Sequence, residues 1–290
     1  MMNILVTGFN GQLANEIYNL SEPFSGDAKF FFKTEKELDI SKKDEVERFL
    51  LDNNIDRIIN CAAYTNVDNA EDEKEKAFLV NDKAVDNLAT IAQSINIYLI
   101  HISTDYVFDG NHYKPYKEDD PTNPVSVYGK SKRAGEVNIL EKQAGMVIRT
   151  SWLYSQTGKN FVKSIARLSN EREQLKVVFD QVGNPTYAHD LAGVLLKAAT
   201  THKNNLLFGI YHYSNEGVCS WYDFAMEIRN ILNIQCDIQP IESKDFPTKA
   251  PRPHYSVLNK EKIKTDLQIQ IPYWKDSLKE MLKTFNNQNM

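Results

Sequence analysis

The first half of the chain alternates short apolar runs with longer amphipathic stretches, and no other feature constrains the fold as strongly. Residues 3–7, 28–33, 56–62, 97–103 and 145–149 read as strands, with helices expected over 11–20, 41–53, 73–95 and 127–142. Stretches such as Asn3-Ile4-Leu5-Val6 and Tyr98-Leu99-Ile100-His101-Ile102 are apolar almost throughout, as strands are when helices cover both faces of their sheet. Regular strand-helix alternation then implies the α/β class, with a doubly wound, parallel, Rossmann-like sheet. Ser41 followed by Asp44 predicts a capping box at the start of the second helix.

The alternation continues less regularly beyond residue 150. Helices are expected over 160–171, 188–201, 220–232 and 275–286, and strands over 175–179 and 210–213. A length of 290 residues suits one large unit with a smaller companion. Residues 1–150 form the expected dinucleotide-binding domain, joined by returning segments from about 175–213. Residues 151–290 supply mainly a smaller, interleaved substrate lobe. Pro247, Pro251 and Pro253 mark 243–259 as an ordered loop.

A formal net charge of −5 leaves no basic footprint for nucleic acid. Cys61, Cys219 and Cys236 are three widely separated thiols without a CxxC pair, which indicates neither a disulfide framework nor a zinc site. No run of 18 apolar residues is present, so no membrane partner is expected, and the N-terminus lacks the pattern of a secretion signal. Cytoplasm is the expected compartment.

Directly after the first strand comes Gly8-Phe9-Asn10-Gly11-Gln12-Leu13-Ala14. Glycines at 8 and 11 permit a tight turn and close backbone approach to a pyrophosphate at a helix N-terminus. The same glycines would also serve a plain turn without a ligand. The second strand ends in Phe32-Lys33-Thr34, with no acid to accept from an adenosine ribose. Lys33 either meets a 2′-phosphate, which mildly favours NADPH over NADH, or is a solvated strand-end lysine. Asp39 and Ile40 lie where adenine would rest, and Ala62, Ala63 and Tyr64 end the third strand along the cofactor's path.

Tyr128 and Lys132 stand four residues apart at the start of a predicted helix, hence on one face and one turn apart. An ammonium beside a phenol stabilises phenolate and draws its pKa down, giving a group able to protonate a developing alkoxide. The fourth strand ends in Ser103-Thr104-Asp105-Tyr106, which places the Thr104 hydroxyl at the ligand-binding edge of a parallel sheet. Trp152, just after a strand end, either stacks on a sugar or base or belongs to the core. Arg252, between two prolines, either forks onto a diphosphate or is a surface arginine.

These motifs, with the blocks DRIINCAAYTNVDNAE, STDYVFDG, NPVSVYGKSKRAGE, VIRTSWLY, DQVGNPT and PRPHYSVLN, resemble the extended short-chain dehydrogenase/reductases, and more narrowly the dTDP-4-dehydrorhamnose reductase family. The resemblance covers nearly the whole chain. It implies reduction of the C4 ketone of dTDP-4-dehydro-L-rhamnose to dTDP-L-rhamnose, for cell-surface polysaccharide synthesis. It implies Tyr128 as proton donor, Lys132 on the nicotinamide ribose and Thr104 on the substrate oxygen. Asn10, Gly11, Gln12, Asp39, Ile40, Ala63, Tyr64 and Thr65 would line the cofactor, and Thr104, Asp105 and Trp152 would contact the nucleotide sugar. Some members are similar in forming Mg2+-bridged dimers through glutamates; here Glu16 fits one such position, whereas His189 stands where an acid is expected, leaving the metal open and a homodimer plausible. A dehydratase of the same fold requires an acid pair after the strand-end threonine, and Asp105 is followed here by Tyr106. A 4-epimerase stays open, as does a non-catalytic relative resembling the regulatory subunit of methionine adenosyltransferase.

Overall fold

The computed structural model describes residues 1–288. Strands β1 (Met2–Thr7), β2 (Ala28–Lys33) and β3 (Arg57–Asn60) alternate with helices α1 (Gln12–Leu20) and α2 (Lys43–Asp52). A long helical stretch follows, made of α3 (Lys74–Phe78), a π-helical turn (Leu79–Lys83) and α4 (Ala84–Ser94). Then come β4 (Tyr98–Thr104), α5 (Val127–Glu141) and β5 (Gly145–Thr150). The remaining elements are β6 (Leu153–Tyr154), α6 (Phe161–Glu171), β7 (Gln174–Val178), β8 (Val182–Gly183), β9 (Thr186–Tyr187), α7 (Ala188–Thr200) and β10 (Gly209–His212). They close with β11 (Cys219–Ser220), α8 (Trp221–Leu232), β12 (Asp237–Ile241), α9 (Glu261–Leu267) and α10 (Trp274–Gln288).

Six strands form one sheet in the order β10-β5-β4-β3-β1-β2, every pair parallel. From β1 the chain crosses one way to β2 and then back the other way through β3, β4 and β5. The carboxyl ends of β1 and β3 thus flank a crevice in which folds of this class bind ligands. Alternate side chains divide the strands between two layers. Ile4, Val6, Ile59, Ile100 and Ile148 pack against α1 and α7, whereas Leu5, Ile58, Leu99 and Val147 pack against α2, α4 and α5. A third core gathers Tyr154, Ile165, Leu175, Tyr187, Phe224, Ile238, Trp274 and Leu278 around α6, α8 and α10.

Three expectations change. Ser41 is not a helix cap: α2 begins at Lys43 after Lys42, without a side-chain cap, and the Ser41 backbone N–H and hydroxyl both donate to the Asp39 carboxylate, at 2.9 and 2.7 Å, away from the helix start. Of the returning stretch, α7 and β10 rejoin the large sheet, but β7 pairs with β12 in a separate two-stranded sheet. The expected helix 73–95 is interrupted by the π-helical turn. The loop from 243 is ordered through bridges from Tyr255 to Val182 and from Leu258 to Tyr116.

Helix α5 is fastened to β5 by a buried ion pair. Arg149 Nε and Nη2 donate to the two Glu136 oxygens at 2.9 and 2.8 Å, and both side chains are at most 1% exposed. Breaking such a pair strands one charge in the interior, at a cost of about 3–5 kcal/mol, whereas replacing both partners with apolar residues is far cheaper. Glu136→Gln is therefore expected to lower unfolding stability in urea by that amount, and Glu136→Leu with Arg149→Met to restore most of it. A double variant as unstable as the single one would contradict this.

Candidate active site

Gly8 follows β1 with a φ of +71°, and a Cβ there would come 2.7 Å from the Ala62 backbone nitrogen. Only glycine fits this approach of the first turn to the end of β3. Gly11 N–H closes the turn on Gly8 O at 2.8 Å, and Gly11 precedes α1 as its N-cap. Asn10 is exposed, whereas Leu13 is buried in the core, so Leu13 offers a ligand its backbone N–H alone. Gln12 Oε1 accepts from Asn160 Nδ2 at 2.8 Å and Ser155 Oγ at 3.2 Å, tying the turn to the loop before α6. A cavity of about 810 Å3 flanks that loop along Lys159, Lys163, Arg167 and Leu232, between α6 and the end of α8, and Tyr128 does not line it.

Lys33 ends β2 with its ammonium 5.3 Å from the Phe49 ring centroid. Asp39 Oδ1 accepts from the Ser41 backbone and hydroxyl, and Ile40 is core, so Ile40 offers adenine no side chain. Ala62, Ala63 and Tyr64 are half-buried and Thr65 is exposed. The Tyr64 backbone is clamped by Asn81, whose amide both donates to Tyr64 O and accepts from Tyr64 N at 2.9 Å.

Helix α5 opens under two caps: Ser126 Oγ accepts from Gly129 N, and Glu71 Oε1 accepts from Val127 N. A Cβ at Gly129 would lie 2.2 Å from Tyr106 O, so glycine lets the first turn of α5 close against the end of β4. The Thr104 hydroxyl there reaches the half-buried Tyr128 phenol and donates to Asp105 Oδ1 at 3.1 Å. The Tyr106 and Tyr128 rings meet edge to face, 5.8 Å apart. Lys132, 2% exposed, donates to Ile102 O at 2.6 Å.

The titration of these groups follows from burial. It lifts the Tyr128 phenol well above its ordinary value, opposed by the Thr104 hydrogen bond. This departs from the expectation that Lys132 draws the phenol down: without ligands, desolvation dominates, and Lys132 spends its bonds on the strand behind. Burial also brings Lys132 down to about 8 and raises Asp105 to about 6. Asp105 is 2% exposed, and its Oδ2 lacks a hydrogen-bond partner.

Trp152 follows β5, and Arg252 lies in the proline-rich loop. Trp152 adopts a φ of +47°, a costly conformation for a bulky residue. Its indole stacks on Trp221 with centroids 3.6 Å apart and planes 10° off parallel. Arg252 donates to Asp68 Oδ2 at 2.7 Å and to the Tyr106 hydroxyl at 3.1 Å, which brings the proline-rich loop over Tyr106.

The chain matches the RmlD substrate binding domain family over residues 2–287. It is 39% identical over 97% of its length to dTDP-4-dehydrorhamnose reductase of Aggregatibacter actinomycetemcomitans, covering 98% of that protein. It belongs to the dTDP-4-dehydrorhamnose reductase family. It is also 38% identical to the spore coat polysaccharide biosynthesis protein SpsK of Bacillus subtilis, over 98% of each chain. The dTDP-4-dehydrorhamnose reductase of Bacillus anthracis, solved in complex with NADP, superposes with a TM-score of 0.93 at 36% identity, over 98% of this chain and 100% of that one.

For this family member, the Mg2+ position does not fit. His189 Nδ1 lies 3.2 Å from Glu16 Oε2, and that hydrogen bond raises the His189 pKa. The Glu16 carboxylate is engaged in this bond, and an imidazole offers no oxygen to a cation that prefers oxygen ligands. Among the described residues no cluster of three or more His, Cys, Asp or Glu could hold a metal.

Sequence reasoning missed Trp221, Asn81 and Asp68. Asn81 shares a helix face with Ala77, Ala84 and Leu88, all buried, and a polar residue on such a face was a legible signal. Trp221 and Asp68 act on partners 69 and 184 residues away, which no local pattern announces.

The Asp105 carboxylate supports a stability test. A carboxyl raised in the fold contributes stability that is fully present below its unfolded pKa and is lost as pH rises through about 6. At neutral pH its ionised form therefore burdens the fold by on the order of 3 kcal/mol. Asp105→Asn is expected to have a higher thermal midpoint than the wild type at pH 7.5, the gap narrowing as pH falls toward 4. A gap that does not change with pH would contradict this.

Proposed function

We propose that the protein reduces the C4 ketone of dTDP-4-dehydro-L-rhamnose to dTDP-L-rhamnose for cell-surface polysaccharide synthesis, with NADPH as the preferred cofactor. The family supports this reading. The observation that carries the chemistry is the meeting of the Thr104 and Tyr128 hydroxyls at the carboxyl edge of β4, beside the buried Asp105. A reduced nicotinamide, when bound, supplies the hydride. The Tyr128 O–H bond breaks as its proton passes to the oxygen that was the ketone, leaving the electron pair on the phenol oxygen. Thr104 holds that substrate oxygen, and Lys132 binds the cofactor ribose and stabilises the phenolate.

The Gly8–Gly11 turn receives the pyrophosphate at the start of α1. Asn10, Gln12, the Leu13 N–H, Asp39, the Ile40 backbone, Ala62, Ala63, Tyr64 and Thr65 line the cofactor. Asp105 and Trp152 contact the sugar nucleotide. Arg252 exchanges part of its bond to Asp68 for the substrate's diphosphate. Desolvation of Tyr128 keeps the phenol protonated until a more basic alkoxide forms, which suits a proton donor.

Following absorbance of reduced nicotinamide with dTDP-4-dehydro-L-rhamnose tests the reading. Tyr128→Phe is expected to lower kcat by about 10²–10⁴-fold while NADPH binding persists. An unaffected rate, or no turnover of this ketone by the wild type, would refute it. Lys33→Ala is expected to raise KM for NADPH roughly tenfold and leave NADH unchanged, and an equal effect on both cofactors would remove Lys33 from the phosphate site.

A further inference from the structure

Behind Lys132 lies a row of buried polar side chains. Thr7 is in register with Asn60, and Asn60 with His101, across β1, β3 and β4. Each is at most 1% exposed, and two residues earlier on the same face stand the apolar Leu5, Ile58 and Leu99. Burying polar groups here costs stability unless each is paired. Thr7 Oγ1 donates to Asn60 Oδ1 at 2.6 Å, Asn60 Nδ2 meets His101 Nδ1 at 2.9 Å, and His101 Nε2 faces Lys132 Nζ at 3.3 Å.

The direction of this chain is set by the backbone. Ala62 N–H points at Asn60 Oδ1 at 3.3 Å and at Thr7 Oγ1 at 3.4 Å, and a backbone amide can only donate. Asn60 must turn its oxygen toward Ala62 and its NH2 toward His101, since the reverse sets two donors against each other. His101 Nδ1 therefore accepts, and the neutral imidazole carries its proton on Nε2, aimed at Lys132. A lysine amine has two N–H groups and one lone pair. Ile102 O takes one N–H, the His101 Nε2–H meets the lone pair, and one N–H remains for a ligand. An ammonium has no lone pair and would set its own hydrogen against Nε2–H.

We propose that His101 is a positioning residue that opposes the ammonium form of Lys132 and favours its amine, with a direction imposed through Asn60 by the Ala62 N–H. The titratable groups facing Lys132 are His101 from β4, Cys61 after β3, and Tyr128 and Glu136 on α5. Burial acts in the same sense as His101, while Glu136 and Cys61 favour the charged lysine. His101 stays neutral, because burial holds its pKa well below the ordinary imidazole value. On the proposed reading of Tyr128 as proton donor, on which this consequence rests, Lys132 can take up a solvent proton near neutral pH as the phenolate forms beside it.

Titration of Lys132 by NMR in the ligand-free protein, with carbon-13 at the lysine ε positions and assignment through Lys132→Arg, tests the proposal. The wild type is expected to titrate well below an ordinary lysine. His101→Leu and Asn60→Leu are each expected to raise the midpoint by about one pH unit, a tenfold gain in proton affinity. Asn60→Leu keeps His101 in place but frees its tautomer, so a residue that merely packs would leave that midpoint unmoved. An ordinary wild-type midpoint, or an Asn60→Leu midpoint equal to that of the wild type, overturns the proposal. No substrate takes part, so the result stands apart from the turnover assays that test the function.

Discussion

The placement of α5 governs the rest of the site, and it is fixed by directional bonds more than by an apolar face. Of its buried residues, Gly129, Ser131, Lys132, Gly135, Glu136 and Ile139, only the last is a large hydrophobe. Glu136 is held by Arg149, Ser131 by Asn81, Asn138 by Asp82 and Lys132 by Ile102 O. Hydrophobic burial is non-directional and would tolerate small rotations of the helix. Hydrogen bonds and ion pairs lose their geometry on such a rotation, so this pattern holds Tyr128 opposite Thr104 more closely than an oily interface would.

The same site stores free energy that the fold supplies elsewhere. A carboxylate with an unpartnered oxygen at Asp105, a left-handed backbone at Trp152, and buried groups at Lys132 and His101 all oppose folding. They gather at one edge of the sheet, while both faces remain filled with ordinary aliphatic packing. A core built from residues such as Ile4, Leu5, Ile58 and Leu99 leaves the carboxyl edge free to carry these costs.

Much of this was legible in the sequence. Periodicity locates the six strands of the large sheet because their apolar runs are short and bounded, and the position of glycines after β1 and of Tyr128 and Lys132 on α5 follows from local spacing alone. The misreading of Ser41 shows the limit of local rules: two acids, Asp39 and Asp44, compete for the Ser41 backbone N–H, and geometry decides for Asp39. Short strands such as β6, β8 and β9 have two residues each and no periodicity to read. The Trp152–Trp221 stack and the Arg252–Asp68 pair depend on how the second lobe folds over the sheet, which tertiary packing decides. His101 was visible as a polar residue within an apolar strand, but its partners required the register of three strands.

The central claim of the proposed reading is that Tyr128 supplies the proton taken up by the ketone oxygen. The most direct test is the solvent deuterium isotope effect on a single turnover of NADPH oxidation, compared between the wild type and Tyr128→Phe. A normal isotope effect in the wild type that disappears from the residual turnover of the variant is the predicted result. The same isotope effect in both proteins would contradict the account, because the transferred proton would then come from another group.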